Sequence, residues 1–541
     1  MVFSGVSMKS FLSTAATSAA ALTLLVLVAS RPAHALNGDP YIHDPSTVAE
    51  DHGKYYVYGT GNGGLVSDDG GWTWHGGVSR TGGGVAADII HIGDRYYVSY
   101  AAGGGGMSGG HASNVHVTWA KTLDPTSPDF GFHDDTVVAH SNGAEDADAI
   151  DPSFLYQGGQ LWISYGTYFG FIRVLQLDPK TGHALPTSKP VDVAIDMEAT
   201  ALIYKDGWYY LLGTHGTCCD GANSTYNIRA GRARKVTGPY IDKEGDPLLK
   251  GGGTLVATSS GRHIGLGHFG RVVSDDDVEK FSCHYEADLD RSGRSVLDIR
   301  PLLWKDGWPV GGDNFTPGTY EIESARSGFA LELGVDFARM ARGGGFGGGG
   351  FGGPGGGGPG GAPRPAGAPN AAPGAAGAQR PAGGPGGGGG GGGGGGRNAP
   401  GPVSPVPNME LSQADSTWPK GDINLQLRDY MVRPSQKWTI APVANVGGYL
   451  GQPFFKITIA GTDRALATTP DGEVTTVSAF SNAPDQLWQI DQLTDGTYRI
   501  MPKVMPHAGE QVVLTAVGDS TPTLAKFDSK SDKSRWNFKQ P

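Results

Sequence analysis

The sequence contains few cysteines and no excess of positive charge, and both shortages exclude classes of protein. Only three of its 541 residues are cysteine, too few for a disulfide-held scaffold or for a zinc or iron–sulfur site with several cysteine ligands. The 42 lysine and arginine residues are outnumbered by 53 aspartate and glutamate residues, which gives a net charge of −11 with neutral histidine. Such a chain lacks the basic surface that nucleic acids and anionic membranes require, so we expect neither as a partner.

Long apolar runs are also scarce. The longest covers residues 19–29, and its 11 residues are too few to cross a bilayer, which takes about 20. The run follows Lys9 and precedes Ala33-His34-Ala35, the small-x-small pattern of a cleavage site. We interpret residues 1–35 as a secretory signal peptide, so the mature chain is expected to be secreted, either extracellular or periplasmic. An uncleaved or lipid-anchored segment is the alternative.

Glycine, by contrast, is abundant, and much of it lies in one tract. Of the 63 residues from Arg342 to Ser404, 32 are glycine, and most of the others are proline or alanine. This tract has too little apolar surface to offset the entropy of ordering, so we predict that residues 342–404 form a disordered insertion with no chemistry of their own. The glycines elsewhere are typical of a β protein with many short strands and turns.

A repeating aromatic segment organises the first half of the chain. Strand-like stretches are centred on Tyr55, Tyr96, Trp162 and Tyr209, which follow one another at intervals of 41, 66 and 47 residues. A four-stranded propeller blade takes about 40–50 residues plus its loops. Helical periodicity is almost absent here. We therefore predict a five-bladed β-propeller over residues 37–312.

A second repeat organises the C-terminal third. Trp438, Trp488 and Trp536 are spaced 50 and 48 residues apart, and each is followed two residues later by a large apolar residue, as in a strand with one buried face. Three such repeats predict a β-trefoil over residues 313–541, with the glycine-rich tract inside its first repeat. The Gln-x-Trp sequences resemble those of ricin-B-type lectins, which implies a domain that binds carbohydrate; a structural cap on the propeller is the alternative. The predicted fold class is all-β.

Three carboxylates occupy similar places in the propeller repeats. Asp44, Asp151 and Glu198 each come shortly before an aromatic strand segment, and a proline follows both aspartates. Equivalent positions on the inner strands of a propeller converge at one mouth of its channel, so we expect a carboxylate cluster. Clustered carboxylates push one another's pKa values apart, and one base beside one acid is what glycoside hydrolysis needs. Each residue taken singly is also compatible with a turn or a strand cap.

The motifs around these carboxylates resemble glycoside hydrolase family 43, most of all its endo-arabinanases. The similarity covers residues 39–310 and includes the opening Asp39-Pro40-Tyr41-Ile42-His43-Asp44 and the loop Cys218-Cys219-Asp220-Gly221-Ala222-Asn223-Ser224-Thr225-Tyr226. The resemblance implies an inverting mechanism in which Asp44 is the general base, Glu198 the general acid and Asp151 the group that orients Glu198 and adjusts its pKa. Base and acid are then expected about 6.5–9.5 Å apart.

The same resemblance implies further site residues. His268, in the fifth-blade motif, would face a metal ion in the channel, usually calcium, although an ordinary core histidine is the alternative. No organic cofactor is expected. The sequence departs from the family in its second blade, where Ala86-Ala87-Asp88 replaces Trp-Ala-Pro-Asp. The residues implied to bind substrate are His43, Asp88, Tyr168, Phe169 and Ser224.

The three cysteines leave their pairing open. Cys218 and Cys219 are adjacent, and a disulfide between neighbours is strained. Free thiols and a bridge to Cys283 are equally compatible with the sequence. A catalytic thiol is not expected, since no activating partner is indicated.

The sequence thus predicts a secreted inverting hydrolase that cleaves α-1,5-linked L-arabinan of plant cell walls. An exo-acting α-L-arabinofuranosidase or β-xylosidase on the same scaffold is the nearest alternative, and product sizes would separate the two. A glycan-binding protein without catalysis is the alternative from another class. A glycan-binding protein would show no turnover at all, whereas an enzyme would have turnover and would lose it when Glu198 is replaced by glutamine.

Overall fold

The structure is a computed structural model, and it describes residues 36–103, 112–142, 148–335, 411–505, 510–518 and 521–541. The predicted signal peptide and the predicted glycine-rich insertion lie outside the described residues. Regular structure is nearly all β, which confirms the predicted fold class. The α-helix α1, Leu411–Asp415, has five residues, and no helix in the described ranges is long and apolar enough to cross a membrane.

Five sheets built from consecutive strands confirm the predicted five-bladed propeller. Blade one contains β1 Asn37–Gly38, β2 Ala49–Asp51, β3 Lys54–Tyr58, β4 Gly63–Ser67 and β5 Thr73–Ser79. Blade two contains β6 Val85–Ile92, β7 Arg95–Gly103, β8 Ala112–Ala120 and β9 His133–Asn142. Blade three contains β10 Ser153–Gln157, β11 Gln160–Tyr165, β12 Phe171–Leu177 and β13 Val191–Ile195.

The last two blades follow the same plan. Blade four contains β14 Glu198–Lys205, β15 Trp208–His215, β16 Asn227–Ala233 and β17 Thr254–Thr258. Blade five contains β18 His263–Gly267, β19 Val273–Asp275, β20 Val278–Asp288, β21 Arg294–Lys305 and β22 Trp308–Gly311. The aromatic residues that marked the repeat lie at Tyr55 on β3, Tyr96 on β7, Trp162 on β11 and Tyr209 on β15. In each blade this strand pairs with the innermost one. Three short 3-10 turns lie in the loops of blades four and five: Gly221–Asn223, Leu248–Lys250 and Leu289–Arg291.

The C-terminal domain, from Gly318 to Lys539, is a second β unit in which one arrangement occurs three times. A 3-10 turn comes just before each repeat tryptophan: Pro434–Gln436, Pro484–Gln486 and Asp532–Ser534. Each of these indoles is fully buried and donates its N–H to a backbone oxygen about 20 or more residues away: Trp438 to Leu331, Trp488 to Leu466 and Trp536 to Leu514. The trefoil assignment itself stays a prediction.

The strands of this domain form one ten-stranded sheet and two hairpins. The sheet contains β23 Gly318–Ser324, β24 Ala330–Leu333, β25 Ile423–Arg428, β26 Trp438–Pro442, β29 Phe455–Ile459, β30 Ala465–Thr468, β31 Val474–Val477, β32 Trp488–Gln492, β33 Tyr498–Pro502 and β36 Trp536–Lys539. The hairpins are β27 Gly448–Tyr449 with β28 Gln452–Pro453, and β34 Val512–Val517 with β35 Thr521–Lys526.

Buried ion pairs join the two units. The Lys280 ammonium lies 3.2 Å from Asp491 Oδ1, and Arg499 Nε lies 3.1 Å from Asp491 Oδ2. The other end of the Arg499 guanidinium lies 2.5 Å from the Asp275 carboxylate of blade five. The side chains of Lys280, Asp491 and Arg499 are at most 2% exposed. Burial alone would lower the pKa of Lys280, so its charge depends on the carboxylate beside it.

Removing that carboxylate will destabilise the whole chain. We expect Asp491→Ala to lower the free energy of unfolding by about 3–5 kcal/mol, because it leaves the buried Lys280 ammonium without a counter-charge and leaves Arg499 with Asp275 alone. Urea unfolding followed by tryptophan fluorescence measures the change, with the exposed Asp471→Ala as the control. A change as small as that of the control would mean that the network does not hold the two units together.

Candidate active site

One backbone feature recurs in every blade. Asp44 (52°), Ala86 (38°), Asp151 (48°) and Ala199 (46°) lie at or shortly before the first strand of blades one to four, His268 (54°) directly follows the first strand of blade five, and all five have positive φ. Positive φ is uncommon outside glycine and is concentrated at functional sites. Asp44 and Asp151 of this set are two of the predicted carboxylates, and Ala199 is next to the third in sequence.

Asp44, Asp151 and Glu198 all line one cavity of about 690 Å³. The three carboxylates come from blades one, three and four, so only the closed ring of blades brings them together. The sequence predicted this meeting, whereas the separate role of each carboxylate stays a prediction. Other side chains that line the cavity are His43, Thr60, Tyr168, Phe169, Tyr226 and Glu286.

The Asp44 carboxylate is surrounded by groups that favour its ionised form. His43 Nδ1 lies 2.8 Å from Oδ2, the Thr60 hydroxyl donates to the same oxygen, and His268 Nδ1 lies 3.3 Å from Oδ1. Burial opposes ionisation, but the positive His43 beside it and the hydrogen bond from His268 hold the pKa of Asp44 well below its usual value. Asp44 therefore stays a carboxylate under mildly acidic conditions.

The positive charge that lowers the pKa of Asp44 is on His43. Burial would lower the pKa of His43, but Asp44 on one ring nitrogen and Glu286 on the other raise the pKa to about 11. The Nε2 atom lies 3.0 Å from Glu286 Oε1, and the pKa of Glu286, which burial would raise, is lowered to about 2 mainly by its histidine partners His284 and His43. The imidazolium thus lies between two carboxylates and fixes Asp44 in place.

Asp151 and Glu198 are shifted in the opposite direction. Burial and repulsion by Glu198 raise the pKa of Asp151 to about 8, and burial raises the pKa of Glu198 as well. The Asp151 carboxylate accepts a hydrogen bond of 3.2 Å from the backbone N–H of Ala199, next to Glu198 in sequence. Tyr226 donates its hydroxyl to Glu198 Oε1. At neutral pH this pair therefore retains a proton that Asp44 has lost.

Three of the residues predicted to bind substrate, His43, Tyr168 and Phe169, form part of the cavity wall beside the carboxylates. Tyr168 lines the cavity, and its hydroxyl oxygen accepts a hydrogen bond from the backbone N–H of Gly216. Phe169 lines it too and is 44% exposed, so its ring is available to a ligand. Tyr168 and Phe169 both follow β11 in the loop that leads to β12.

The other two residues predicted to bind substrate do not line the cavity, and their binding role stays a prediction. Asp88 does not line the cavity: it is 3% exposed, and its carboxylate accepts bonds from Thr47 N, Phe154 N and the Arg271 guanidinium. It joins neighbouring inner strands. Ser224 is buried as well, and its hydroxyl donates to the backbone oxygen of Thr217, which shapes the Cys218–Cys219 loop. A motif match cannot tell a buried structural polar group from an exposed one.

The cysteine loop closes one side of the cavity. Cys218 and Cys219 form a disulfide, and Cys283 is a buried free thiol on β20. Both half-cystines line the cavity, and the backbone N–H of Cys219 donates to Glu286 Oε2 over 3.1 Å. Of the pairings that the sequence left open, the structure thus has the one between neighbours.

His268 is buried beside the carboxylates, with Nδ1 directed at Asp44. No described residue pairs with its Nε2, whereas both ring nitrogens of His284 and of His43 have partners. A single free imidazole nitrogen among carboxylates fits a cation that takes the rest of its ligands from water, which suits calcium better than a full set of histidines would. The residues present are therefore compatible with the predicted ion.

The comparison with known proteins agrees with this site. The model of glycosyl hydrolases family 43 matches residues 41–309. An extracellular exo-α-(1→5)-L-arabinofuranosidase of Cellvibrio japonicus is 30% identical over 302 residues, which cover 50% of this chain and 85% of that protein. The chain belongs to glycosyl hydrolase family 43.

Other relatives of this family 43 protein match the same half of the chain. An extracellular endo-α-(1→5)-L-arabinanase of Bacillus subtilis is 29% identical over 323 residues, 54% of this chain and 95% of that one. Among solved structures, an exo-1,5-α-L-arabinanase from a bovine ruminal metagenomic library is 30% identical, covers 51% of this chain and 99% of its own, and has a TM-score of 0.46.

Sequence reasoning assigned no role to several residues of this family 43 site. Glu286 lies two residues after His284 on β20, so strand alternation places both on one face, and that spacing was a usable signal. Tyr226 was quoted only as part of a motif. Thr60 gave no signal at all, because its contact with Asp44 depends on how the loop after β3 folds back.

Proposed function

We propose that this protein is an inverting hydrolase that cleaves α-1,5-linked L-arabinan, with Asp44 as general base and Glu198 as general acid. The observation that carries the proposal is the opposite shift of two pKa values in one cavity: that of Asp44 is lowered and that of Glu198 is raised. A base that is ionised and an acid that is protonated at the same pH are what a single displacement requires.

In the proposed reaction a water molecule attacks the anomeric carbon from the side of Asp44. Asp44 accepts one proton of that water while Glu198 donates its proton to the leaving oxygen, so the bond to the departing sugar breaks as the new C–O bond forms. Thr60, His43 and His268 hold Asp44 through both of its oxygens. Asp151 and Tyr226 orient Glu198, the first through the backbone of Ala199 and the second directly.

A second cavity adjoins the catalytic cavity and is compatible with cleavage inside a chain. It has a volume of about 410 Å³, shares Tyr168 with the catalytic cavity and continues past Phe171 toward Asp196 and Lys250. A substrate can therefore extend beyond the residue that is cleaved. Exo action, the activity named for the Cellvibrio relative, is the competing proposal.

Localisation, substrate source and metal belong to the same proposal. Two relatives are named extracellular, which supports a signal peptide at residues 1–35 and action on plant cell-wall arabinan outside the cell. A calcium ion held through His268 Nε2 would add positive charge beneath the carboxylates. Binding of carbohydrate by the C-terminal domain stays a prediction.

Product analysis tests the proposal. The protein is incubated with debranched arabinan, linear xylan and galactan, and the products of early reaction are separated by size while proton NMR follows the anomeric configuration. We expect a ladder of arabino-oligosaccharides with inverted configuration. Release of arabinose alone would favour exo action, cleavage of xylan but not arabinan would overturn the substrate, and no product from any polymer would favour a binding protein.

The pH dependence gives a separate test of the proton assignment. Because the acid must carry a proton, kcat/KM will fall as the pH rises through about 8, where the Asp151–Glu198 pair loses its last proton. On the acid side the lowered pKa of Asp44 keeps the base ionised, so activity persists below the range of an ordinary aspartate. Rates from about pH 3 to about pH 10 measure both limbs.

The variant Asp151→Asn separates the two members of the pair. It removes the carboxyl group whose pKa is raised to about 8, so the proton that the pair keeps at neutral pH can bind only to Glu198 and the alkaline limb moves to lower pH. An alkaline limb that stays in place would show that the two carboxyl groups titrate independently.

A further inference from the structure

A third cleft, away from the catalytic cavity, lies where blade one meets the C-terminal domain. It has a volume of about 370 Å³ and shares no lining residue with the catalytic cavity. Blade one contributes the turn after β4 and the start of β5, and the C-terminal domain contributes the loop that leads into β27. Its principal side chains are Trp72, Asp68, Asp69, His75, Asn37 and Asn445.

Trp72 is the centre of this cleft and is held in place from behind. Its side chain packs on the backbone of Gly448, where an added Cβ would lie 2.6 Å from Trp72 Cβ, so only glycine fits there. The ring is partly exposed, and no described residue accepts a hydrogen bond from its indole N–H. A fixed aromatic face with a free donor at its edge is a stacking platform for a sugar ring.

Polar groups that suit hydroxyls surround this platform. Asp69 Oδ1 is occupied by the backbone N–H of Thr73 at 2.7 Å, but no described residue pairs with Oδ2. The side-chain amide of Asn445 has no described partner either, and that of Asn37 uses one of its N–H groups to reach Thr73 Oγ1. Carboxylates and amides beside an aromatic face can bind neighbouring hydroxyls through paired hydrogen bonds.

The cleft has no excess of positive charge among the described residues. Asp68 and Asp69 provide two carboxylates, and His75, 3.2 Å from Asp68, and Lys54, 3.9 Å from it, offset that charge. A phosphate or an acidic polysaccharide such as a uronan would therefore gain no net attraction here. A neutral glycan needs none.

The position of the cleft decides what such a site could do. In blade one, Thr60 lies at the end of the β3–β4 hairpin that faces the catalytic cavity, whereas Asp68 and Asp69 lie in the turn at the other end of β4. The cleft is therefore on the opposite face of the propeller. A glycan held there is not an extension of the strand being cleaved, so the site would act as a tether.

We propose that this cleft is a second saccharide site, which binds a neutral segment of the polysaccharide substrate through Trp72 and holds the enzyme on bulk polymer. The identity of that polymer as arabinan rests on the proposed function; the neutral-glycan chemistry does not. Both domains build the site, since Gly448 and Asn445 complete what blade one begins.

Binding is measured on the full chain made inactive by Glu198→Gln, by affinity electrophoresis in gels that contain debranched arabinan, galactan or xylan. Trp72→Ala is expected to weaken retention by the bound polymer about tenfold. Trp72→Phe keeps a smaller aromatic ring but removes the N–H, so it is expected to weaken binding by less. The matched control is Tyr156→Ala, an aromatic residue of blade three that is 43% exposed and lines none of the three cavities.

A second readout uses the active chain. In Trp72→Ala the ratio of activity on insoluble polymer to activity on a short oligosaccharide of the same sugar is expected to fall about tenfold. The second site would be overturned if Trp72→Ala and Tyr156→Ala gave the same retention by the polymer and the same activity ratio, whether or not both had fallen. If Trp72→Ala unfolds, the same two measurements on His75→Ala and Asn445→Ala, both at exposed positions, test the site instead. Trp72-dependent binding to xylan, without cleavage of arabinan, would support the site and refute the proposed substrate.

Discussion

Glu198→Gln will lower kcat/KM on arabinan by about 10³-fold or more, while binding of the polymer is kept. Glutamine has nearly the shape of glutamic acid and can still accept the hydrogen bond from Tyr226, but it has no proton to give to the leaving oxygen. The loss therefore falls on the chemical step and not on the cavity.

The leaving group distinguishes an acid from a residue that only positions the substrate. In a nitrophenyl arabinoside the leaving group is nitrophenolate, which departs without the help of a proton. Cleavage of this substrate by Glu198→Gln is therefore expected to fall far less than cleavage of arabinan. An equal loss on both substrates would show that Glu198 is not the acid. The control is Asp206→Asn, which changes an exposed carboxylate in the β14–β15 turn.

Asp44→Asn is the second large effect, and it is expected to be the same on both substrates. Attack by water needs a base whatever the leaving group, and an amide cannot accept the proton, so we expect a fall in kcat of about 10³-fold or more on arabinan and on the nitrophenyl arabinoside alike. Asparagine tolerates the positive φ of this position (52°), so the backbone is expected to keep its course.

Steady-state rates on both substrates, with melting temperatures to confirm folding, measure this effect. Asp206→Asn is again the matched control, because Asp206 too has positive φ (51°). Activity retained on either substrate would remove Asp44 from the role of base. Together, the two variants assign acid and base by their different dependence on the leaving group.

The blades and the shared cavity could both be predicted from the sequence. The aromatic repeat at Tyr55, Tyr96, Trp162 and Tyr209 indicated the blades, because strand alternation and turn residues are local properties of the chain. The register of Asp44 and Asp151 within that repeat indicated a shared cavity. Both inferences needed only a period and a known blade geometry.

The same reasoning does not give the exposure of a side chain. Asp88 and Ser224 lie in motifs of the family, yet both are buried and bonded to the scaffold. Thr60 and Glu286 touch the central groups but were not singled out. A local pattern fixes the direction of a side chain relative to its own strand, and it does not say which neighbour lies there.

The sequence by itself determined the all-β class, the number of blades and the meeting of three carboxylates, since each of these follows from periodicity along the chain. Only the tertiary structure decided which carboxylate is ionised, because that depends on His268 and Glu286 of blade five meeting His43 of blade one. It also decided the contact of the two domains through Lys280 and Asp491. Pairings between distant residues are set by how blades and domains close on one another, and electrostatic interactions depend on those distances.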